Sequence, residues 1–131
     1  YKRESYMQVI NKLTMLYLPV SEMQKAKEFY SDKLGLKIVQ DYRQDDNNWW
    51  VSLTLPEGGV TITLSTHHGK LKPGNMTMYF ATSDVAAAHK ELSGKDVKVN
   101  EVKDDLYGPG SGVKWFNLED PDGNTVFLAQ A

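Results

Sequence analysis

One helical passage, with a β-rich run before it and three after it, occurs twice in this sequence and limits the fold more than any other feature. The first passage, "SEMQKAKEFYSDKLG", begins at Ser21, and the second, "SDVAAAHKELSG", begins at Ser83, about sixty residues later. The strand-like and helical periods alternate in the same order both times. A repeat of this length, with one helix and four strands in each unit, predicts two βαβββ modules rather than a solenoid.

Both predicted helices carry start and stop signals. Ser21, with a glutamine three residues later, gives a capping-box pattern, and Gly35 stands where a C-cap belongs. In the second helix Ser83 or Asp84 is the expected N-cap, and Gly94 is expected to end the helix. The apolar stripes that we expect to be buried are Met23, Ala26, Tyr30 and Leu34 in the first helix and Val85, Ala88 and Leu92 in the second.

The first module has four β-rich runs, one over residues 12–20 and three that begin at residues 36, 49 and 60. The second module also has four, one that begins at residue 75 and three near residues 97–102, 113–118 and 125–129. The runs from residues 49 and 60 alternate strictly, which predicts strands with one face packed on the helix. That face consists of Val51, Leu53, Val60, Ile62 and Leu64. The opposite face is polar but β-branched and consists of Ser52, Thr54, Thr61, Thr63 and Ser65.

Length and composition predict a single domain. With 131 residues, 40% of them hydrophobic, the chain can bury one core. We expect residues 1–10 to form an N-terminal extension and residues 11–131 to form one domain. Within that domain the modules span about 11–66 and 74–131, and a linker at 67–73 joins them.

Composition also excludes several classes of function. The net charge of -2, with both signs mixed along the chain, gives no basis for nucleic-acid binding. The absence of cysteine removes disulfides, thiolate nucleophiles and cysteine-based zinc sites. No apolar run approaches the roughly 20 residues that span a bilayer, and no secretory signal is visible. We therefore expect a cytoplasmic protein that binds neither membranes nor nucleic acid.

The acidic stretch "EDPDGN", which begins at Glu119, suggests a metal or catalytic carboxylate site but is more typical of a turn. Asp120 begins the turn and Pro121 fixes the backbone φ of the next position. Asp122 and Gly123 then supply the tight reversal that returns the chain as the last strand. We interpret these acids as part of the fold.

The three histidines do not form a ligand set in the sequence. His67 and His68 are neighbours in the linker, and neighbouring side chains of an extended segment point in opposite directions. We therefore interpret both as solvated loop residues. His89 lies on the edge of the second helical stripe, where a packed or half-exposed helix residue is expected.

Two passages resemble the vicinal oxygen chelate superfamily, which includes glyoxalases, bleomycin-resistance proteins and extradiol dioxygenases. They are "LYLPVSEMQKAKEFYSDKLGLKI" and "WFNLEDPDGNTVFL". Together with the duplication, the resemblance covers about residues 13–130. It implies an α+β fold in which two tandem βαβββ modules form a half-open cup of curved mixed sheets.

The resemblance also implies where a metal would be bound. Metal-dependent members place a His on the first strand and a Glu on the last strand of each module, and the ion then acts as a Lewis acid. At the matching positions this sequence has Met15, Thr63, Asn75 and Phe127. We therefore expect a member that lacks the usual metal ligands and uses no cofactor.

The inner face of the expected cup is rich in aromatic rings, hydroxyls and amides. Such a wall suits a flat or partly apolar small molecule, although the same residues would also suit sheet packing or a dimer interface. Tyr107, in the glycine-rich stretch "YGPGSG", is expected to lie on a mobile rim loop that can fold over the cup. The other candidate ligand-binding residues are Met15, Tyr17, Trp50, Ser52, Thr63, Asn75, Thr77, Tyr79, Trp115 and Phe127.

Three functions are compatible with these observations. The hypothesis we favour is a glyoxalase/bleomycin-resistance-like protein that binds a small, partly aromatic molecule without a metal and is not an enzyme. The alternative is a metal-dependent lyase or isomerase of glyoxalase type, or a dioxygenase. A third is an interaction module whose cup is filled by a partner chain. Members of the superfamily often pair, so we also expect a homodimer.

Overall fold

The computed structural model describes residues 9–131, so most of the predicted extension at 1–10 lies outside the described residues. The first helix is short, Met23–Lys27, and continues directly into a π-helical segment, Glu28–Lys33. No helix among residues 9–131 is long and apolar enough to cross a membrane. The helices and strands are, in chain order, β1 (Met15–Pro19), α1 (Met23–Lys27), β2 (Lys37–Asp45), β3 (Asn48–Thr54), β4 (Thr61–Ser65), β5 (Thr77–Thr82), α2 (Val85–Gly94), β6 (Trp115–Glu119) and β7 (Thr125–Gln130).

The strands form two open sheets with related topology. The first sheet has the order β1-β4-β3-β2, and the second has the order β5-β7-β6. In each sheet the first strand of the module runs parallel to the last strand, and the other neighbours are antiparallel. The prediction of an α+β fold with two mixed, unclosed sheets is therefore confirmed.

The strand predicted near residues 97–102 is not continuous in the structure. Two isolated bridges stand in its place, Val99 opposite Leu118 and Lys103 opposite Trp115. The two bridges are four residues apart in this segment, from Val99 to Lys103, but only three residues apart in β6, from Leu118 to Trp115. The extra residue interrupts the ladder, as a bulge does, and leaves the second sheet with three regular strands.

The two helices begin differently, and the capping box predicted for the first was wrong. The N-cap of α1 is Glu22, which makes no side-chain capping bond. Ser21 lies one residue earlier, and both its amide and its hydroxyl donate to the Asp122 carboxylate. The N-cap of α2 is Asp84, as predicted, and its carboxylate accepts the Ala87 amide at 3.0 Å. Gly94 is the last residue of α2, and Asp96, not Gly94, takes the left-handed conformation at φ 62°.

Both faces of the central strands of the first sheet are buried. The expected apolar face packs against the helix, where Met23, Ala26 and Tyr30 are buried and Leu34 is partly buried. On the other face the small side chains of Ser52 and Thr63 are also buried, and their hydroxyls are 3.0 Å apart in a hydrogen bond. This pairing satisfies two polar groups that would otherwise be costly to bury.

The carboxylate of Asp120 is the centre of a buried hydrogen-bond network. Its Oδ1 accepts the backbone amides of Asp122 at 3.0 Å and Asn124 at 2.9 Å. Its Oδ2 accepts the Tyr30 hydroxyl at 2.6 Å and the Asn124 side-chain amide at 2.8 Å. Asn124 Oδ1 in turn accepts the Met76 amide at 2.8 Å. Asp120, and Asp122 through its bonds to Ser21, therefore belong to the fold, as the sequence indicated.

This turn also restricts the end of the linker. Gly74 has φ +93°, and a Cβ placed on it would lie 2.4 Å from the carbonyl oxygen of Asp122. Only glycine can bring its backbone that close in that conformation. The turn thus contacts Tyr30 in the π-helical segment, Ser21 between β1 and α1, and Gly74 just before β5.

Replacement of Tyr30 by phenylalanine tests how much this network stabilises the protein. Burial, and next the neighbouring Asp120 carboxylate, raise the pKa of the Tyr30 hydroxyl far above its ordinary value, so the hydroxyl stays protonated and donates. We expect Tyr30→Phe to lower the free energy of unfolding by about 1.5–3 kcal/mol, the contribution of a hydrogen bond to a charged group. Urea denaturation measures this value. Tyr42→Phe, at a tyrosine that is 51% exposed, is the control and should change it by less than about 0.5 kcal/mol; equal effects would contradict the assignment.

Candidate functional site

The face of the first sheet that points away from α1 carries aromatic and hydroxyl side chains. Residues directly opposite each other in a sheet share a face, so Tyr17, Thr63 and Ser52 form one row across three strands. In the next row Trp50 lies opposite Tyr42, and their rings stack at 5.7 Å with an interplanar angle of 12°. Tyr42 was not predicted, but a hairpin folded at the polar link after β2 places it opposite Trp50.

The second sheet carries a continuous group of three rings, Tyr79, Phe127 and Trp115, which we call the aromatic wall. The rings of Tyr79 and Phe127 stack at 4.3 Å with an interplanar angle of 11°. Trp115 lies against the other side of this pair, 5.3 Å from Phe127 and tilted by 35°. Tyr79 keeps 64% of its surface exposed. The wall therefore presents ring surface to solvent.

Polar groups surround Trp115 and form a cavity of about 380 Å³. The indole N–H of Trp115 donates to Asp105 Oδ1 at 2.9 Å, which fixes the orientation of the ring. Lys103 Nζ lies 5.8 Å from the centroid of the same ring. The amide of Asn100 donates to Asn117 Oδ1 beside it. Lys103 and Asn100 were missed from the sequence because they lie in the interrupted strand, where alternation does not indicate a face.

A second cavity, of about 430 Å³, lies between β1 and β5, and we call it the seam cavity. It brings together three of the predicted binding residues, Tyr17, Thr77 and Tyr79. The remaining wall is apolar and includes side chains from both modules. Among them are Leu16, Val60, Ile62, Met76, Met78 and Phe80.

The other predicted binding residues are more dispersed. Met15 begins β1 and is exposed, and Trp50 belongs to the ring pair of the first sheet. Asn75 lies before β5, where its amide donates to the Lys72 carbonyl at 3.4 Å. Tyr107 is 80% exposed, so in this structure it extends from its loop instead of covering the rings.

The sheet register corrects one of the four positions compared with the metal ligands of the superfamily. In the first module Met15 pairs with Thr61, which lies two residues before Thr63. In the second module the residue two before Phe127 is Thr125, and its partner is Thr77. The counterpart of Met15 is therefore Thr77 and not Asn75. A thioether, two hydroxyls and a phenyl ring do not supply the imidazole and carboxylate donors of that site. Within residues 9–131 no group of three or more His, Asp or Glu side chains could hold a metal ion.

Two histidines are held by backbone carbonyl groups. His68 is half-buried, and its Nε2 donates to the Val20 carbonyl at 2.6 Å, so its interpretation as a solvated loop residue was wrong. The bend of the linker brings it back against the end of β1. His89 Nε2 donates to the Asn100 carbonyl at 3.0 Å, and its ring meets the Phe116 ring edge-on. His89 is therefore a packed helix residue, as predicted.

A duplicated α+β arrangement of two open mixed sheets, each with rings on its inner face, defines the class of protein. The family model described as "Glyoxalase/Bleomycin resistance protein/Dioxygenase superfamily" matches residues 10–128. The chain belongs to this superfamily. Comparison with curated protein sequences gives no match.

Several solved structures are similar over nearly their whole length. TnmS3, an antibiotic binding protein from Streptomyces sp. CB03234, is 25% identical with a TM-score of 0.77, and the match covers 95% of this chain and 98% of TnmS3. A glyoxalase/bleomycin resistance protein from the same strain is 25% identical with a TM-score of 0.75, over 91% and 100% of the two chains. A superfamily member from Sphaerobacter thermophilus DSM 20745 is 26% identical with a TM-score of 0.77, over 93% and 98%.

Asp41 has a displaced pKa, but it lies on the helix side of the first sheet. Partial burial acts to raise the pKa of its carboxyl, but hydrogen bonds from Lys27 Nζ and Trp49 Nε1, together with the charges of Lys27 and Arg43, outweigh burial and lower it. Arg43 also lies over the Trp49 ring at 4.2 Å. This cluster connects the β2–β3 hairpin, at the edge of the first sheet, to Lys27 of α1.

Asp41→Asn should therefore destabilise the protein in a pH-dependent way. A carboxylate whose pKa is lowered by folding stabilises the fold above its unfolded pKa of about 3.9, and this contribution is lost as the pH falls through the folded value. We expect a loss of about 1 kcal/mol or less at pH 7, the size typical of a partly exposed ion pair, and almost none at pH 2.5. Urea denaturation at both pH values measures it. Asp104→Asn, in a loop, is the control; a loss that persists at low pH would contradict the charge-based explanation.

Proposed function

We propose that this protein binds a small, partly aromatic molecule in its cup without a metal ion. The observation that carries the proposal is the aromatic wall, in which three rings from three strands contact one another and remain accessible. Exposed ring surface that is already ordered provides stacking area with little further loss of side-chain freedom. Each stacking contact with a planar ligand contributes about 0.5–1.5 kcal/mol beyond the burial of area.

The polar groups beside the wall complement a ring-bearing ligand. Thr77 is exposed beside the wall, and Asn117 lies opposite Phe127 with its side-chain oxygen already accepting from Asn100. Asn117 also lines the cavity around Trp115, and in this proposal its NH₂ group donates to an acceptor on the ligand edge. Ser52 and Thr63 satisfy each other, so in this proposal they shape the floor of the cup rather than bind the ligand.

The similarity to TnmS3 supports a ligand of antibiotic-like size and shape. That protein is described as antibiotic binding, and this chain matches it over almost its full length. Sequestration of such a molecule needs a pocket but no bond-breaking chemistry. The metal-dependent reactions of the superfamily would need donors that Met15, Thr63, Thr77 and Phe127 do not provide.

A planar compound, 2-naphthol, tests the proposal through tryptophan fluorescence. We expect saturable quenching, and we expect Trp115→Ala to weaken binding about tenfold, because about 1.4 kcal/mol of stacking and apolar contact is lost. Trp50→Ala, at the ring pair of the first sheet, should weaken it less. Trp49→Phe is the control, since Trp49 is buried on the helix side and should leave the affinity unchanged within twofold.

Two outcomes would overturn this proposal. One is the absence of saturable binding by 2-naphthol and by a broad panel of planar antibiotics, judged by both fluorescence and thermal shift. The other is stoichiometric zinc, nickel, manganese or iron bound in the cup of protein purified without added metal. The second result would support the lyase, isomerase or dioxygenase alternative.

We also propose that the protein is a homodimer. Val9 and Leu13, in the segment that leads into β1, expose 77% and 57% of their surfaces. The segment adjoins an edge strand of the first sheet, and exposed apolar surface beside a sheet edge is typical of an interface.

Light scattering tests the dimer. We expect a mass twice that of one chain, and Leu13→Glu should produce a monomer because a charge would be buried in the interface. Leu71→Glu is a matched control, since Leu71 in the linker is also 57% exposed. A monomeric wild type, or dimers with both substitutions, would contradict this proposal.

A further inference from the structure

The seam cavity differs in chemistry from the polar cavity around Trp115. None of the twelve residues that line it carries a charge. Apart from the hydroxyls of Tyr17, Thr77 and Tyr79, its side chains are hydrocarbon or thioether. A charged group on a ligand would lose its hydration there without gaining a partner, so the cavity selects uncharged apolar groups.

The cavity exists because two edge strands face each other without a shared ladder. β1 ends the first sheet at one side and β5 ends the second sheet, and each is paired only on its other side among the described strands. Side chains from both modules therefore meet across a gap instead of a continuous sheet. Leu16 remains 42% exposed and Met78 is half-buried, so the gap is open to an entering molecule.

Tyr79 connects the seam cavity to the aromatic wall. Its ring stacks on Phe127, and Tyr79 is also one of the residues that line the cavity. A molecule whose ring lies on the wall can therefore extend past Tyr79 into the gap between the strands. Met76 and Met78, which line the gap, have flexible side chains that can adapt to chains of different shape.

We propose that the seam cavity binds an uncharged aliphatic group, carried by the same ligand whose ring lies on the aromatic wall. The position of the ring on the aromatic wall rests on the proposed function, whereas the binding of the aliphatic group in the seam cavity does not. At about 30 Å³ for each water-sized group, 430 Å³ accommodates roughly ten to fourteen non-hydrogen atoms. The ligand class is thus a planar ring with a medium-length alkyl or alicyclic substituent.

Three compounds separate the two parts of the site in calorimetric titrations. They are 2-naphthol for the wall, 1-octanol for the seam cavity and 4-pentylphenol for both together. We expect 1-octanol to bind saturably and linear alcohols to gain about fourfold in affinity per methylene until the cavity is full. Octanoate and octylammonium should bind at least tenfold more weakly than 1-octanol.

Val60→Trp fills the seam cavity. It should weaken the binding of 1-octanol and 4-pentylphenol at least tenfold and leave the affinity for 2-naphthol unchanged within twofold. Val39→Trp, on exposed β2, is the matched control and should change none of them. Trp115→Ala should show the reverse pattern, with 2-naphthol weakened and 1-octanol retained. The failure of the wall and the failure of the cavity are thereby distinguished.

Met78→Ala provides a second variant that enlarges the cavity, and it should shift the best-bound alcohol to a longer chain. Absence of saturable 1-octanol binding, or equal binding by the Val60→Trp and Val39→Trp proteins, would overturn the inference. So would a fall in mass on Val60→Trp together with no octanol binding, which would show that a second copy of the chain covers the gap.

Discussion

The buried carboxylate of Asp120 is the constraint on which the rest of the structure depends. Asp120 exposes only 6% of its surface, and a buried carboxylate is stable only when its oxygens are satisfied. Here the turn amides, the Asn124 side chain and the Tyr30 hydroxyl satisfy them. Tyr30 belongs to the first module, whereas the turn belongs to the second. The same group of atoms therefore closes the last hairpin and joins the modules.

Because the modules are joined through this turn, their edge strands β1 and β5 do not have to pair with each other. Ser21 and Gly74, which flank β1 and β5, both contact Asp122, so the ends of the two strands are fixed near one point. No hydrogen-bonded ladder among the described strands links β1 to β5. Their side chains can therefore line a gap, and the rings of the second sheet stay uncovered beside it.

The sequence predicts the fold well where periodicity and local chemistry agree. The duplicated order of strands and helices, apart from the interrupted strand near residues 97–102, follows from residue type and spacing. So do the Asp84 cap and the buried stripe from Met23 to Tyr30. The Ser21 cap failed because the helix begins one residue later and the Ser21 side chain is directed to a carboxylate a hundred residues away. No local pattern reports such a contact. Asn75 was placed two residues early for a related reason, because strand register depends on the partner strand.

The candidate site was less predictable than the fold. Alternation assigns Tyr79, Trp115 and Phe127 to one face, but it does not show that their rings touch. It also assigns Ser52 and Thr63 to the cup without showing that each satisfies the other. The polar groups around Trp115 were missed because an extra residue breaks the alternation between Val99 and Lys103.

The matching registers of the two sheets have a consequence for orientation. Tyr17 faces Thr63 in the first module as Tyr79 faces Phe127 in the second, so the backbone of the cup has an approximate twofold relation. Two identical halves would offer a guest two poses of equal energy, related by rotation. A buried hydroxyl in one half and a stacked ring in the other remove that degeneracy. Divergence between the duplicated halves thus makes a nearly symmetric binding site asymmetric, so that a bound molecule has one preferred orientation.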